Sequence, residues 1–476
     1  MQPVRYLLIL SALFHLFPVR AQQPPPNILL ICIDDLRPEL ASFGADYIVS
    51  PNIDSLARSG RPFLRHYVNA PSCGPSRHTL LTGTYGPSPN EAIFDRAEAL
   101  DAGTHQLPPS LPEWFRHQGY RTVSVGKVSH HPGGFGGEDW NDSTIVELTG
   151  AWDTTLMPAD EWQHPRGSMH GLANGEIRPR EPHTMPPLQA VEGSDSIYPD
   201  GRITGAALAQ LDTLAGGDQP FFLAVGLIKP HLPFGAPRRY LDRYADTELP
   251  PIPNPEQPQG ISTWHESGEF RRYKLAADPL TDTAYATALR KHYAACVSYA
   301  DAQVGKLLER LRQTGQDSNT IIVLWGDHGW NLGHHAIWGK HNLFEEGLHS
   351  PLIIRAPEQP RPGQPTEAIV ETVDLYPTLC ELAGLPVPAD LHGTSLAANI
   401  SDPDLPGHPA AGYYQQATTL RTDRYRLIAH PGGEYELYDH RTDPYEQRNI
   451  APLEPELVIG LAALLRERLA ARIVSY

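Results

Sequence analysis

The chain reads as an α/β protein: a core with a large mixed or parallel sheet flanked by helices, and a small C-terminal α+β subdomain. Three observations predict this. Four strand-like runs, the first of them continuous, apolar and branched, each end in polar or ionisable residues, the pattern of strands buried on both faces. Helical stretches alternate with those runs, as in a crossover-connected sheet. Past Leu396 the composition changes to short strand-like segments and one final helix.

The elements follow in chain order. Arg5 precedes an apolar stretch from Tyr6 to Phe17, and Val19-Arg20-Ala21 then offers a cleavage point, so residues 1–21 read as an export signal. The stretch is too short for a stable membrane span, and Pro24, Pro25 and Pro26 prevent its continuation as a helix. Asn27 to Ile33 (NILLICI) is the first strand and stops at Asp34-Asp35. The same grammar recurs at Tyr120 to Val125 before Gly126-Lys127, at Phe221 to Ile228 before Lys229-Pro230-His231, and at Thr320 to Trp325 before Gly326-Asp327-His328. Helices are expected over Ile53 to Ser59, Ser110 to Gln118, Gly205 to Leu214 and Tyr285 to Gln313. Gly133 to Asp200 is rich in Gly, Pro, His and Trp, Leu249 to Gly260 is a proline-rich connection, and both read as loops around a site. Near the C-terminus, Arg424 to Ala429 and Glu434 to Tyr438 read as antiparallel strands and Glu456 to Ile473 as a helix. The expected division is therefore 1–21, a main domain over 22–395, and a subdomain over 396–476.

A net charge of −17 over 476 residues argues against a nucleic-acid or anionic-membrane binder, since either needs a basic face. Any anionic ligand has to be attracted locally. Only Cys32, Cys73, Cys296 and Cys380 are present, so this is no disulfide scaffold.

In open α/β sheets, ligands collect beyond the carboxyl ends of the strands. There Asp34, Asp35 and Asp327 are carboxylates whose burial is costly without a cation. An oxygen-rich set suits calcium or magnesium better than zinc, although His328 adds an imidazole. Each aspartate alone reads equally well as a helix cap or a turn residue. Cys73-Gly74-Pro75-Ser76-Arg77, continued by Leu81-Thr82-Gly83, sets a thiol beside an arginine in an expected exposed turn. On chemistry alone it is either an activated nucleophile or an ordinary half-buried cysteine.

These segments resemble the sulfatase family and, within it, the iduronate-2-sulfatase branch. The resemblance runs over nearly the whole chain after residue 21. PNILLICIDDLRPEL, SPNIDSLA, CGPSR with LTG, GYRTVSVGKVSHHP, PFFLAVGLIKPHLPF, SYADAQVGKLL, GDHGWNLG and ELYDHRTDPYEQRN carry it in order. It implies an alkaline-phosphatase-like core, sulfate ester hydrolysis, one calcium ion, and a formylglycine made from Cys73 by a formylglycine-generating enzyme. Asp34, Asp35, Asp327, His328 and the modified Cys73 would hold the calcium, histidine at 328 being a mark of this branch. Arg77 and Lys127 would steady the aldehyde hydrate, whose hydroxyl would attack sulfur. His231 and Lys340 would face the leaving oxygen and the bound sulfate, and His130 would take the proton that lets sulfate depart. His334 stands where relatives commonly have glutamate and is given no role.

The expected substrate is a sulfated saccharide, with a 2-O-sulfated uronate first and an algal polysaccharide sulfate second. Lys229, Arg238, Arg239 or a histidine of the Gly133 to Asp200 loop would meet the uronate carboxylate. The expected location is periplasmic or secreted, and lysosomal only in a eukaryotic source. A phosphomonoester or phosphonate hydrolase on the same fold, or a non-catalytic glycan-binding relative, is the competing expectation.

Overall fold

The computed structural model describes residues 24–158, 166–167 and 170–476; the expected export signal lies outside the described residues. Eight strands form the central sheet: β1 (Asn27–Ile33), β2 (Arg61–Tyr67), β3 (Arg121–Gly126), β4 (Thr154–Leu156), β5 (Phe221–Leu227), β6 (Thr320–Gly326), β7 (Leu352–Arg355) and β8 (Thr366–Glu371). Their order is β8-β2-β7-β6-β1-β5-β3-β4, and every pairing is parallel except the two made by β7.

β1 is continuous and apolar because both its faces are covered. Leu29, Ile31 and Ile33 enter one core and Ile28, Leu30 and Cys32 the other. The first core is closed by helices α1 (Pro51–Ser59), α4 (Pro199–Ala215) and α5 (Thr283–Gln313), and the second by α2 (Cys73–Thr82), α3 (Leu111–His117) and α6 (Leu375–Leu382). The 31-residue α5 starts where the Asp282 side chain accepts the Tyr285 N–H at 2.9 Å, a cap for a free helix-end donor.

A four-stranded antiparallel sheet follows: β9 (Ala410–Tyr414), β10 (Ala417–Arg421), β11 (Tyr425–Ala429) and β12 (Tyr435–Asp439). Helix α7 (Pro455–Arg468) covers one face, with Val458, Ala462 and Leu465 packed against Leu420, Leu427 and Leu437. Tyr413 N–H donates to Asn69 O at 2.8 Å, which joins this sheet to the segment just before Cys73.

The sequence signalled four of the eight central strands. β2 (RPFLRHY) mixes apolar residues with arginines, a histidine and a proline, β7 is only four residues long, and β4 lies inside the Gly133 to Asp200 stretch. That stretch also forms Phe135–Gly136 paired with Asp142–Val146, and Leu188–Val191 paired with Phe234–Pro237. The terminal helix ends at Arg468 rather than Ile473. Leu396 and Ile400 are buried in the core of the main sheet, and the small sheet begins at Ala410.

Candidate active site

The carboxyl ends of β1, β3, β5 and β6 bring the site together. Asp34 and Asp35 follow β1; Asp35 has a left-handed backbone (φ 59°), tied by its N–H to Asp327 Oδ1 at 2.9 Å and by its carbonyl to Tyr293 Oη at 2.7 Å. A non-glycine residue held in that region is strain of the kind that gathers at functional sites. Asp327 and His328 follow β6, Lys127 follows β3 and His231 lies three residues beyond Ile228.

Cys73 opens α2 and is only 3% exposed, which corrects the expected exposed turn. Its Sγ lies 3.3 Å from Asp34 Oδ1, 3.2 Å from His328 Nε2 and 3.3 Å from Lys340 Nζ. Asp34, Asp35, Cys73 and His328 each place a potential ligand atom within 4.8 Å of the others. Asp327 stands beside them, 3.6 Å from His328 Nε2, and its other oxygen takes Arg77 Nε at 3.0 Å and Nη2 at 2.9 Å. Arg77 also donates to the carbonyls of Lys127 and Val128, which fixes the turn that presents Lys127. Lys127 pairs with Asp34, and Lys340 pairs with Asp35 at 2.9 Å.

Charges set the protonation states. Burial would raise the Asp34 carboxyl, but Lys127, then His231, Arg77 and Lys340, hold it well below the usual carboxylate range. For Asp35 burial wins over Lys340 and is reinforced by Asp34, so its carboxyl is pushed well up. Burial and then Asp34 raise the Cys73 thiol well above its ordinary value, so it is not an activated thiolate. Burial, with Lys127 next, keeps His130 neutral, and burial with Lys340 lowers His231 to about 3.

Cys73, His130, His231 and Lys340 open into a cavity of about 440 Å³. Four of its other lining residues were not singled out from the sequence. Glu269, on the short helix Gly268–Arg271, lies 3.3 Å from His231 Nε2 and 3.6 Å from Lys340 Nζ. Asn90 accepts from Ser72 Oγ at 3.0 Å and the Gly74 N–H at 3.2 Å, steadying the start of α2. Arg178 and Arg272 supply the cations of the rim. Three of the cations expected there lie elsewhere. Lys229 is buried and donates to the carbonyls of His231 and Pro233, while Arg238 and Arg239 reach the carbonyls of Ala190 and Gly193 on the surface. Their side chains are claimed by the local fold. His334 stands 3.3 Å from Arg37 Nη1 and does not line this cavity. All four cysteines are free thiols.

The Sulfatase family model matches residues 26–385, and the model described as N-sulphoglucosamine sulphohydrolase, C-terminal, matches residues 333–473. Human iduronate 2-sulfatase is 31% identical over 397 residues, covering 76% of this chain and 70% of the relative. Among solved structures, BT4656 in complex with its substrate D-glucosamine-2-N,6-O-disulfate aligns with a TM-score of 0.68 at 22% identity, over 94% of this chain and 98% of that one. The phosphonate monoester hydrolase of Agrobacterium radiobacter aligns with a TM-score of 0.74 at 23% identity, over 94% and 96%. At those identities the structures establish the shared alkaline-phosphatase-like fold. A family model spanning most of the chain, together with a relative matched at that level, establishes the rest: the chain belongs to the sulfatase family and is a sulfuric ester hydrolase.

Proposed function

We propose that the protein removes sulfate from a sulfated glycan, with a 2-O-sulfated uronate as first substrate and an algal polysaccharide sulfate as second, using one calcium ion and a formylglycine made from Cys73. The observation that carries this is the buried group of Asp34, Asp35, Cys73 and His328, flanked by Lys127 and Lys340, below an open cavity.

The residues fit a hard cation. Asp35 Oδ2 is buried with no hydrogen-bond partner, and three carboxylates stand by one imidazole, an oxygen-rich set. Arg77, Lys127 and Lys340 are already matched by Asp327, Asp34 and Asp35. A divalent ion is what would turn this balanced cluster toward an anionic ester. Asp34, Asp35, Asp327 and His328 would hold it, with residue 73, and its charge would polarise a sulfate oxygen. Chelation is expected to lower both activity and melting temperature, since a ligand bound only by the folded state stabilises it; stoichiometric zinc without calcium would overturn this choice of ion.

A hydrated aldehyde at position 73 would supply a hydroxyl nucleophile and a second hydroxyl that a plain thiol lacks. The raised thiol of Cys73 supports this over direct thiolate attack. Arg77 and Lys127 hold the floor of the site around residue 73, and Lys340 Nζ stands where it would meet the sulfate. Neutral His130, whose buried Nδ1 has no hydrogen-bond partner, suits the acceptance of a proton. His231 Nδ1 lies 2.6 Å from Leu232 O, which leaves Nε2 facing the cavity and Glu269; with its pKa lowered to about 3 the ring is neutral, and Nε2 would take up a proton with the anionic ester bound beside it and pass it to the leaving oxygen.

Arg178 and Arg272 are the groups we assign to a uronate carboxylate, in place of Lys229, Arg238 and Arg239. We further propose export to the periplasm or outside the cell after removal of residues 1–21, with maturation by a formylglycine-generating enzyme. The test is sulfate release from defined heparin, dermatan and algal oligosaccharides, with a phosphonate monoester alongside. Release from 2-O-sulfated uronates, weakened by Arg178→Ala, is expected. Activity confined to 6-O-sulfated hexosamines would overturn the uronate assignment, and preference for the phosphonate would overturn the glycan reading.

A further inference from the structure

A second and larger cavity, about 720 Å³, adjoins the catalytic one and shares Gly268, Glu269 and His341 with it. Its far wall comes from the other subdomain: Tyr414 to Ala417, the turn between β9 and β10. Small-ligand pockets span roughly 300–1,000 Å³, so this volume by itself accommodates a ligand group. Its surfaces are those of a carbohydrate site. The His341 ring stacks on Tyr414 at 5.6 Å and 18°, Trp264 lines the same space, and the side chains of Gln415 and Gln416 are exposed beside them. Aromatic faces offer apolar area to the C–H face of a sugar ring, and amides offer hydrogen bonds to its hydroxyls.

The backbone is bent to build it. His341 (φ 71°) and Gln415 (φ 53°) both hold left-handed conformations that non-glycine residues rarely adopt, one on each side of the cavity. At His341 the bend has a clear consequence: Lys340 points into the sulfate site while its neighbour lines both cavities. Burial and Lys340 lower His341 to about 3, so its ring is a neutral stacking surface at physiological pH.

We infer that this cavity is the binding site for the sugar next to the sulfated one, on the leaving-group side, so that Trp264, His341, Tyr414, Gln415 and Gln416 select oligosaccharide over small sulfate esters. This rests on the glycan reading above. The experiment compares kcat/KM for a sulfated tetrasaccharide with kcat/KM for 4-nitrophenyl sulfate, in the full-length matured protein and in Tyr414→Ala and Gln416→Trp. The first variant removes the platform and the second, on an exposed turn, fills the space. The tetrasaccharide-to-aryl ratio should fall roughly tenfold in each, the scale of one aromatic contact, with the change in KM. A ratio within twofold of the unaltered protein in both variants would overturn the inference, whether the two activities are kept or fall together. Unaltered protein that cleaves the aryl ester and no sulfated oligosaccharide would sink the glycan reading, and this site with it.

Discussion

Asp34 and Asp35 are adjacent in sequence and equally buried, yet their carboxyls are driven in opposite directions. Lys127, His231, Arg77 and Lys340 act together on Asp34, while Asp35 has Lys340 against burial and the neighbouring acids. The histidines differ in their contacts rather than in their charge: burial keeps both neutral, with Lys127 acting next on His130 and Lys340 next on His231, but only His231 has a carboxylate, Glu269, at 3.3 Å from its Nε2. His231→Ala should therefore slow sugar sulfates by roughly 10²–10⁴-fold, as loss of a general acid does, and slow an aryl sulfate with a good leaving group far less. Equal losses on the two substrates would leave His231 with only a positioning part. At this scale the strand-end acids, Lys127 and His231 were legible because each sits at a break between a buried run and polar residues, whereas CGPSR was legible through its resemblance to a family motif and not from its own chemistry. Glu269, Asn90, Arg178 and Arg272 were not, since they lie in irregular or short segments whose approach to the site is set by tertiary packing. Their neighbours in sequence carry no periodic pattern.

Strand ends place these residues through close backbone approach. Gly126 and Gly226 are paired in the β3–β5 register, and Lys127 N–H donates to Gly226 O at 2.9 Å. A Cβ on Gly226 would lie 2.0 Å from the Lys127 carbonyl carbon and oxygen, the oxygen that Arg77 binds. Gly226→Ala should thus move Lys127 out of the site as well as overpack the sheet, at a cost of about 1–3 kcal/mol. We expect a lower melting temperature and a loss of kcat larger than that shift explains at the assay temperature; wild-type kcat in the variant would show that Lys127 is not held by this contact. The apolar runs of β1, β3, β5 and β6 announced the strands that carry these residues. β2, β7 and β8 escaped because charged or proline-containing sequence, or mere brevity, hides a strand whose burial comes from its neighbours rather than its own pattern.

Across the whole molecule, the small C-terminal sheet is fastened to the main one through buried charge. His408 Nε2 lies 2.9 Å from Asp374 and Nδ1 3.5 Å from Glu371, which also pairs with Arg468 of α7. Burial opposes the imidazolium, but the hydrogen bond to Asp374 and the charges of Asp374 and Glu371 outweigh it and raise His408 to about 9. Because the folded value lies above the ordinary 6.5, this contribution is full below pH 6.5 and is lost as pH rises through 9. Melting temperature should fall across that window, by an amount corresponding to about 3 kcal/mol, and His408→Gln should flatten the fall; an identical slope in the variant would place the dependence elsewhere. Net charge says little about such local arrangements: a chain at −17 still gathers Arg77, Lys127 and Lys340 at one buried spot. The central claim concerns the residue they surround, Cys73, whose Sγ lies 3.3 Å from Lys340 Nζ. Mass spectrometry of the peptide containing residue 73, from protein co-expressed with a formylglycine-generating enzyme, should find an aldehyde in place of the thiol, with sulfate release rising in proportion to the aldehyde fraction and absent in Cys73→Ala. Full turnover by protein in which every residue 73 is still a thiol would contradict it.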